Sequence, residues 1–577
     1  MENLAIARVL AEIADLLEIK GENPFKIRAY RNASETIAYE PAALAAMTTA
    51  ERTRLPGIGR DIAAKVGELV DTGAMRYHRE LLAQFPPTIL DLLNLQGIGP
   101  KTVARLYGLL NIQTLEDLEQ AAREGRLRAM PGMGARKEAQ ILKALEDRRP
   151  LAGRRLAAEA YDHAAALVEN LRGHSPAADV QIVGSLRRGC DTCGDIDILA
   201  AVSRPEEDGA PLMRAFTDYR LVERVLAHGH TKCSVLLQDR FQADIRIVPR
   251  ESLGAAMQYF TGSKAHNIAL RDRAVRRSLK LNEYGLFMLD TDERLAGDTE
   301  EGIYRALDLA FVPPELRENR GEVEAAERGE LPALVQLADL RGDLHSHTSA
   351  TDGHADIETM ARAARDAGLT YLAITDHSQS LAMANGLDEK RALAHASAVR
   401  QANDRVEGIT LLAGIECDIR PDGTMDLADD CLAELDIVVA SVHSAFNQEP
   451  ARMTDRLLRA LACPWVDILG HPLGRIILKR EPHRADMTRV IADAAREGVA
   501  MEINAQLDRR DLDDTHARSA RDAGVHLVIS SDSHGPTGFS ALRWGVATAR
   551  RAWLTADDIL NTKPVDALRS ALRRHRQ

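Results

Sequence analysis

Seven short apolar strands between residues 340 and 534 constrain this chain most, because six of them end in histidine or a carboxylate. They read Gly342-Asp-Leu-His-Ser-His347, Tyr371-Leu-Ala-Ile-Thr-Asp-His377, Leu411-Leu-Ala-Gly-Ile-Glu416, Ile437-Val-Val-Ala-Ser-Val-His443, Val466-Asp-Ile-Leu-Gly-His471, Val499-Ala-Met-Glu-Ile-Asn504 and Leu527-Val-Ile-Ser-Ser-Asp-Ser-His534. Helix-like stretches such as 356–368 and 486–498 separate most of them. Alternating strand and helix predicts a parallel sheet closed into a barrel. In such a barrel the C-terminal strand ends form the active site, so these side chains should converge. A site of His, Asp and Glu without Cys suits more than one divalent metal. This half is expected to be a metal-dependent hydrolase domain, with other domains before it.

A chain of 577 residues has room for several domains, and 45% hydrophobic content is ample for packed cores. No apolar run approaches the roughly 18 residues of a membrane span. The start, Met1-Glu-Asn-Leu-Ala-Ile6, lacks the basic and apolar regions of a signal peptide. A cytoplasmic protein without a membrane partner is therefore expected. Cys190 and Cys193 form a CxxC with no second pair to match it, so the six cysteines are expected to be reduced thiols. The net charge of −12 argues at first against a nucleic-acid partner. Residues 1–320, however, carry 44 Lys+Arg against 46 Asp+Glu, and residues 321–577 carry 30 against 40. The acidic excess thus sits in the half with the histidine-ended strands. Phosphate contacts need local basic clusters, such as Arg271, Arg273, Arg276, Arg277 and Lys280.

Residues 1–150 contain an internal repeat. Leu55-Pro-Gly57-Ile-Gly59, Leu95-Gln-Gly97-Ile-Gly99 and Met130-Pro-Gly132-Met-Gly134 each precede a helix-like run. Paired glycines let the turn backbone approach a phosphate, and the helix that follows supplies free N–H groups. A helix packing unit can use the same glycines once. Three copies look like the helix-hairpin-helix motif, a sequence-independent binder of DNA backbone. The region otherwise reads as all-helical, with apolar positions at helical spacing in 4–17.

The middle of the chain holds Ile182-Val-Gly184-Ser185-Leu-Arg187-Arg188-Gly189, followed by Gly194-Asp195-Ile-Asp197-Ile-Leu199. Alternation around Asp195 and Asp197 predicts a strand with both carboxylates on one face. Phe241-Gln-Ala-Asp244-Ile-Arg-Ile-Val248 predicts a second strand with Asp244 on its polar face. Asp195-x-Asp197 alone favours a solvated sheet face. The glycine–serine and arginine–glycine stretches upstream, with the third Asp downstream, favour a catalytic centre. Three carboxylates on neighbouring strands can hold two Mg²⁺ or Mn²⁺ ions, which suits activation of a primer 3′ hydroxyl and release of pyrophosphate. Gly184, Ser185, Arg188 and Gly194 would supply phosphate donors nearby.

Tyr259-Phe260-Thr-Gly262-Ser-Lys-Ala-His-Asn267, with Arg271 and Leu281-Asn-Glu-Tyr284, resembles the thumb of family X DNA polymerases. Residues 340–577 resemble the polymerase and histidinol phosphatase (PHP) domain. Two motif sets in this order, over nearly the whole length, resemble a bacterial family X DNA polymerase with a C-terminal PHP domain. The resemblance implies a multidomain α+β and α/β protein with a distorted (β/α)7 PHP barrel. The implied layout is a helical lyase-like domain (1–80), fingers (81–150), palm (151–250), thumb (251–320), linker (321–338) and PHP domain (339–577). It also implies that Asp195, Asp197 and Asp244 are the polymerase metal ligands, and that Ser185, Arg188 and Gly194 bind the incoming triphosphate. Tyr259, Phe260 and Gly262 would line the sugar pocket, Asn267 would reach the incoming base, and Arg271 the template strand. Lys65 stands where some relatives carry a Schiff-base lysine that cleaves abasic sugars. Asp61 stands where a second lysine is common, a departure that weighs against strong lyase activity and leaves Lys65 either a 5′ phosphate contact or a solvated helix residue.

The same resemblance makes His345, His347, Asp352, His377, Glu416, His443, His471, Asp532 and His534 ligands for two or three Mn²⁺ or Zn²⁺ ions. The ligand set is intact, which implies a Mn²⁺-dependent 3′→5′ exonuclease, with related action at abasic sites and blocked 3′ ends. Arg475 suits either a phosphate contact or a solvated loop. The implied whole is a monomeric repair enzyme acting on gapped or primer–template DNA with deoxynucleoside triphosphates. A small-molecule phosphatase, or a polymerase whose PHP domain is purely structural, are the alternatives.

Overall fold

The computed structural model describes residues 3–38, 44–55, 57–86, 88–94, 98–130, 133–148, 154–176, 178–239 and 241–572. Residues 1–152 form one compact unit and nearly all of residues 153–577 a second.

The first unit is helical among its described residues. Its longer helices are Asn3–Lys20, Pro24–Ala38, Arg60–Thr72, Pro100–Leu110 and Ala135–Arg148. Leu10, Ile13 and Leu17 recur at helical spacing and are fully buried, with Val66, Val103 and Leu106, in one core.

The segment expected to be the palm lies within the second unit. Its five strands are β1 (Asp179–Ile182), β2 (Asp195–Val202), β3 (Val222–His228), β4 (Lys232–Leu237) and β5 (Gln242–Pro249). They lie in the order β1-β2-β5-β4-β3, with β2 and β5 parallel and the other pairs antiparallel. The helices Ala157–His174 and Pro205–Thr217 cover one face, where Ile196, Ile198 and Ala200 join Leu167 and Phe216 in the core. The opposite face of β2 is left for Asp195 and Asp197. The thumb follows, with helices Leu253–Thr261 and Lys264–Arg276 and a three-stranded antiparallel sheet. Residues 321–338, expected as a linker, are not an open tether. They include the helix Glu322–Arg328, whose Val323, Ala325 and Ala326 are buried in the thumb core. The Glu/Ala composition that read as a linker is that of a short amphipathic helix.

Seven strands then form one parallel sheet in strict sequence order: β6 (Gly342–Asp343), β7 (Tyr371–Ile374), β8 (Thr410–Asp418), β9 (Ile437–Ser441), β10 (Ile468–Leu469), β11 (Ala500–Asn504) and β12 (Leu527–Ser530). Beyond the strand ends, Ser346 and Ser533 pair in parallel, and the His347 amide donates to the Ser533 carbonyl at 2.8 Å, drawing the first and last strands together. The alternation is two-sided. Leu372 and Ile374 face the surrounding helices, whereas Tyr371 and Ala373 face the interior with Leu412, Val439 and Val528. Asp356, Asp388, Asp486 and Asp513 each cap a helix N-terminus, setting where four of these helices begin. No helix among the described residues is long and apolar enough to cross a membrane. No disulfide joins Cys190 to Cys193.

Candidate active sites

In the palm, β2 and β5 run in register, so Asp197 lies directly opposite Asp244, and Asp195 is two residues earlier on the same face. The three carboxylates each bring an oxygen within 4.8 Å of the others. Burial, then repulsion from Asp195 and Asp244, pushes Asp197 up to about 7; burial and Asp244 raise Asp195 as well. An all-oxygen donor set with this much concentrated negative charge fits a hard divalent cation. Gly184, at φ +67, rests against this triad: a Cβ there would overlap Oδ2 of Asp197 and lie 3.0 Å from its Cγ. Ser185 continues the same turn and is half-buried, and Gly194 is exposed immediately before Asp195.

Arg188 donates from Nε to Glu318 at 3.0 Å and from Nη1 to the Thr261 carbonyl. A Cβ on Gly262 would lie 3.3 Å from Arg188 Nη1, so the palm arginine and the thumb turn meet. Arg187 is instead structural, forked onto Glu300 at 2.9 and 2.5 Å. Tyr259 and Phe260 form an edge-on ring pair 5.1 Å apart. Asn267 does not project from the thumb. Its amide is buried, donating to the Tyr259 carbonyl and accepting from Gln258, both at 2.7 Å. Arg271 is exposed on the helix Lys264–Arg276. The five-residue basic cluster expected around it is not one patch. Arg273 is buried against the Leu307 carbonyl and Glu327, Arg277 pairs with Asp308, and Lys280 pairs with Asp292. Helical spacing counts charges along the chain, but folding turned Arg273 into the core.

In the barrel all nine expected residues come together. Three groups have ligand atoms mutually within 4.8 Å: His347, Asp352, His377 and His534; His345, His347 and Asp532; and His377, Glu416 and His443. His471 joins through Nε2, 2.9 Å from Glu416 Oε1. Burial disfavours imidazolium, yet Glu416 and Asp352 push His377 up to about 10, and Glu416 and Asp418 push His443 up to about 9. His345 is likewise held well above its ordinary range by Glu502, Glu416 and Asp532. His471 is lowered, by burial and by Arg509. Cationic charge is thus favoured here. A divalent ion supplies it while leaving the imidazoles neutral, the state in which they are ligands. Histidine with carboxylate, without thiolate, fits manganese or zinc and excludes neither.

The residues that orient these ligands were not assigned from the sequence. Glu502 accepts from His345 Nδ1 at 2.8 Å and from the His471 amide at 2.7 Å. Asn504 donates to Asp532 at 3.0 Å, and Asp418 holds His443 Nδ1 at 2.9 Å. The signal was present, since Glu502 and Asn504 share the period-two face of a strand end. Arg475 is not in solvent. It pairs with Asp191 of the palm at 2.7 Å. Two histidines lie outside the cluster: His395 supports Asp376 at 2.8 Å, and His483 is buried and pushed down to about 4 by that burial.

In the helical unit, Gly57 has φ +74, a conformation glycine alone adopts without strain. Gly59 caps the helix Arg60–Thr72, Gly99 caps Pro100–Leu110, and Gly134 precedes Ala135–Arg148. Gly97 and Gly132 lie outside the described residues. Lys65 Nζ contacts Asp61 at 2.5 Å and Tyr30 Oη at 2.8 Å, and lies 4.3 Å from the Tyr77 ring centroid. Burial works against its charge, but Asp61 and Tyr30 outweigh it and raise Lys65 above the ordinary lysine range.

Four family models match parts of the chain. Residues 1–75 match the helix-hairpin-helix domain, 89–147 a SAM-like helix-hairpin-helix tandem, 256–318 the DNA polymerase beta thumb and 343–506 the PHP domain. The barrel half is similar to proteins named "Probable phosphatase". The one from Thermoanaerobacter sp. (strain X514) is 29% identical over 232 residues, 38% of this chain and 89% of its own. The one from Shewanella sediminis is 32% identical over the same length. The "DNA polymerase/3'-5' exonuclease PolX" of Bacillus subtilis is 35% identical over 577 residues, covering 100% of both chains. With that end-to-end likeness added to a polymerase thumb and a PHP barrel, this chain belongs to the family X DNA polymerases that carry a C-terminal PHP domain.

Proposed function

We propose that the chain extends primer 3′ ends at the palm triad and removes nucleotides from 3′ ends in the barrel, filling short gaps during DNA repair such as base excision repair. The observation that carries this reading is the presence of two separate ligand clusters, Asp195–Asp197–Asp244 and the nine-residue barrel set, in a chain aligned throughout with a polymerase/exonuclease. Divalent cations, Mg²⁺ or Mn²⁺ in the palm and Mn²⁺ or Zn²⁺ in the barrel, supply Lewis-acid activation of the attacking oxygen and of the phosphate.

The chain's own residues do the rest. In the palm, Gly184, Ser185, Arg188 and Gly194 receive the triphosphate. Tyr259, Phe260 and Gly262 bound the sugar, Asn267 serves the base side through its bonds to Tyr259 and Gln258, and Arg271 meets the template. Gly57, Gly59, Gly99 and Gly134 present backbone to DNA phosphates, with Lys65 on the helix that Gly59 caps. In the barrel, Glu502, Asn504 and Asp418 hold the ligands in place while the imidazoles and carboxylates stay fixed around a scissile phosphodiester. The same centre would open abasic sites and clear blocked 3′ ends. The protein works as a monomer in the cytoplasm.

A 3′-recessed, 5′-labelled primer–template tests both centres. With Mn²⁺ and no nucleotides, the wild type should shorten the primer and His347→Ala should not. With nucleotides, Asp195→Ala/Asp197→Ala should shorten but not extend it; extension by that variant refutes the palm assignment. The likeness of the barrel to probable phosphatases favours a second reading, phosphomonoester hydrolysis. Faster turnover of a monoester such as histidinol phosphate than of DNA would establish it.

A further inference from the structure

The palm turn that carries Arg188 is gripped from two sides. On one side Gly184 abuts Asp197. The turn then closes on itself: the Arg188 amide donates to the Gly184 carbonyl at 3.3 Å, the Gly189 amide to Leu186 at 3.0 Å and the Cys190 amide to Ser185 at 3.1 Å. On the other side the turn meets three arginines of the PHP barrel. Arg510 is 1% exposed and donates to the carbonyls of Gly189 at 2.9 Å and Cys190 at 2.8 Å. Its Nη1 is 3.2 Å from Asp191 Oδ1, its Nε bonds Thr548, and its guanidinium lies 5.8 Å from the Trp544 ring centroid. Arg475 takes the other oxygen of Asp191 at 2.7 Å and is itself anchored on the Arg509 carbonyl at 2.9 Å. Arg551 donates to the Arg188 carbonyl at 3.0 Å and to Glu318 at 2.9 Å, the same carboxylate that receives Arg188 Nε.

A buried guanidinium is costly unless its donors are used, so Arg510 strongly favours one placement of Gly189 and Cys190. Because the turn is internally closed, fixing those two carbonyls fixes Ser185 and Arg188. Without the barrel, three carbonyls and a carboxylate would be left to solvent, and the turn would lose the partners that hold it against Asp197.

We propose that Asp191 and Arg510 are positioning residues for nucleotidyl transfer, through which the PHP barrel pre-organises the triphosphate turn of the palm. This rests on the reading of Ser185 and Arg188 as triphosphate contacts. Pre-organisation lowers the ordering cost of binding, so its loss should fall mainly on nucleotide affinity.

The test uses the full chain, with Asp191→Asn, Arg510→Gln, the double variant and Arg188→Ala. Single-nucleotide insertion into gapped DNA gives kcat and KM for the nucleotide, and 3′ excision without nucleotides is measured on the same preparations. We expect Asp191→Asn and Arg510→Gln each to raise KM about three- to tenfold with kcat within about twofold. The double variant should be no worse than the larger single effect, because both act through one contact. Excision by Asp191→Asn should stay within about twofold of wild type, since that side chain lies outside the barrel cluster. Asp191→Asn is isosteric and carries the test alone should Arg510→Gln fail to fold. Unchanged KM in Asp191→Asn, with KM raised in Arg188→Ala, overturns the proposal and spares the palm reading. Extension and excision falling together with the melting temperature would also overturn it, by reducing the contact to inter-domain packing. Unchanged KM in Arg188→Ala would instead remove the palm reading, and the proposal with it.

Discussion

Glu502 holds Nδ1 of His345 at 2.8 Å and so turns the opposite ring nitrogen into the barrel cluster, where His345 Nε2 is buried without a hydrogen bond of its own. Carboxylate support of this kind sets the tautomer and basicity of a ligand, and its removal typically costs 10–100-fold in metal affinity. Glu502→Gln should therefore need about ten- to a hundredfold more Mn²⁺ for half-maximal excision, with extension unaffected. A manganese titration of both activities checks this, and an unshifted excision curve rules the role out.

Gly184 leaves no space for a side chain beside Asp197. Gly184→Ala must displace either the turn or the carboxylate, and its φ of +67 adds strain. A misplacement of about 1 Å in a catalytic constellation can cost on the order of a hundredfold. Extension should fall by at least about that factor, while excision persists. Normal extension by this variant would contradict the packing described for the turn.

Lys65 is held as an ammonium by Asp61 and Tyr30, whereas a Schiff base needs a neutral amine. Wild-type protein should give little borohydride-trapped adduct with an abasic, 5′-incised DNA at neutral pH. Asp61→Ala should increase trapping, because it removes a partner that favours the charged form. Strong trapping by the wild type, lost in Lys65→Ala, would show that DNA binding releases the lysine.

Asp239 is only partly exposed, and burial alone would raise its pKa. His163 at 3.3 Å, the charge of Arg155 and the Phe241 amide outweigh that and hold it at about 2. Its unfolded value is about 3.9, so the ionised form stabilises the palm by about 2 kcal/mol above pH 4. That contribution is lost as pH falls from 4 through 2. Asp239→Asn should lower the melting temperature at pH 7, and the gap to wild type should narrow below pH 4. A gap that stays constant down to pH 3 would assign the effect to packing rather than charge.

The three clustered carboxylates and the nine barrel residues were legible because each belongs to a local pattern. Asp195 and Asp197 alternate on one strand face, and the barrel residues end strands whose apolar runs announce them. Gly57 and Gly184 carried a comparable signal through their positive φ, which a glycine in a turn announces. The basic cluster misled for a physical reason. Composition shows that a segment is charged, but not which of its residues the neighbouring elements bury, as happened to Arg273.

The sequence by itself thus determined which residues share a strand face, a strand end or a glycine turn, and with them which carboxylates and histidines cluster. Those properties follow from periods of two and 3.6 residues and from backbone sterics, which act over a few positions. Only the tertiary structure decided the partners. His345 meets Glu502 across 157 residues, and Arg510 meets Gly189 across 321. No local period spans such distances. These pairings exist because strand order and barrel packing bring the elements together, and because a buried ion or guanidinium is tolerated only where a partner waits.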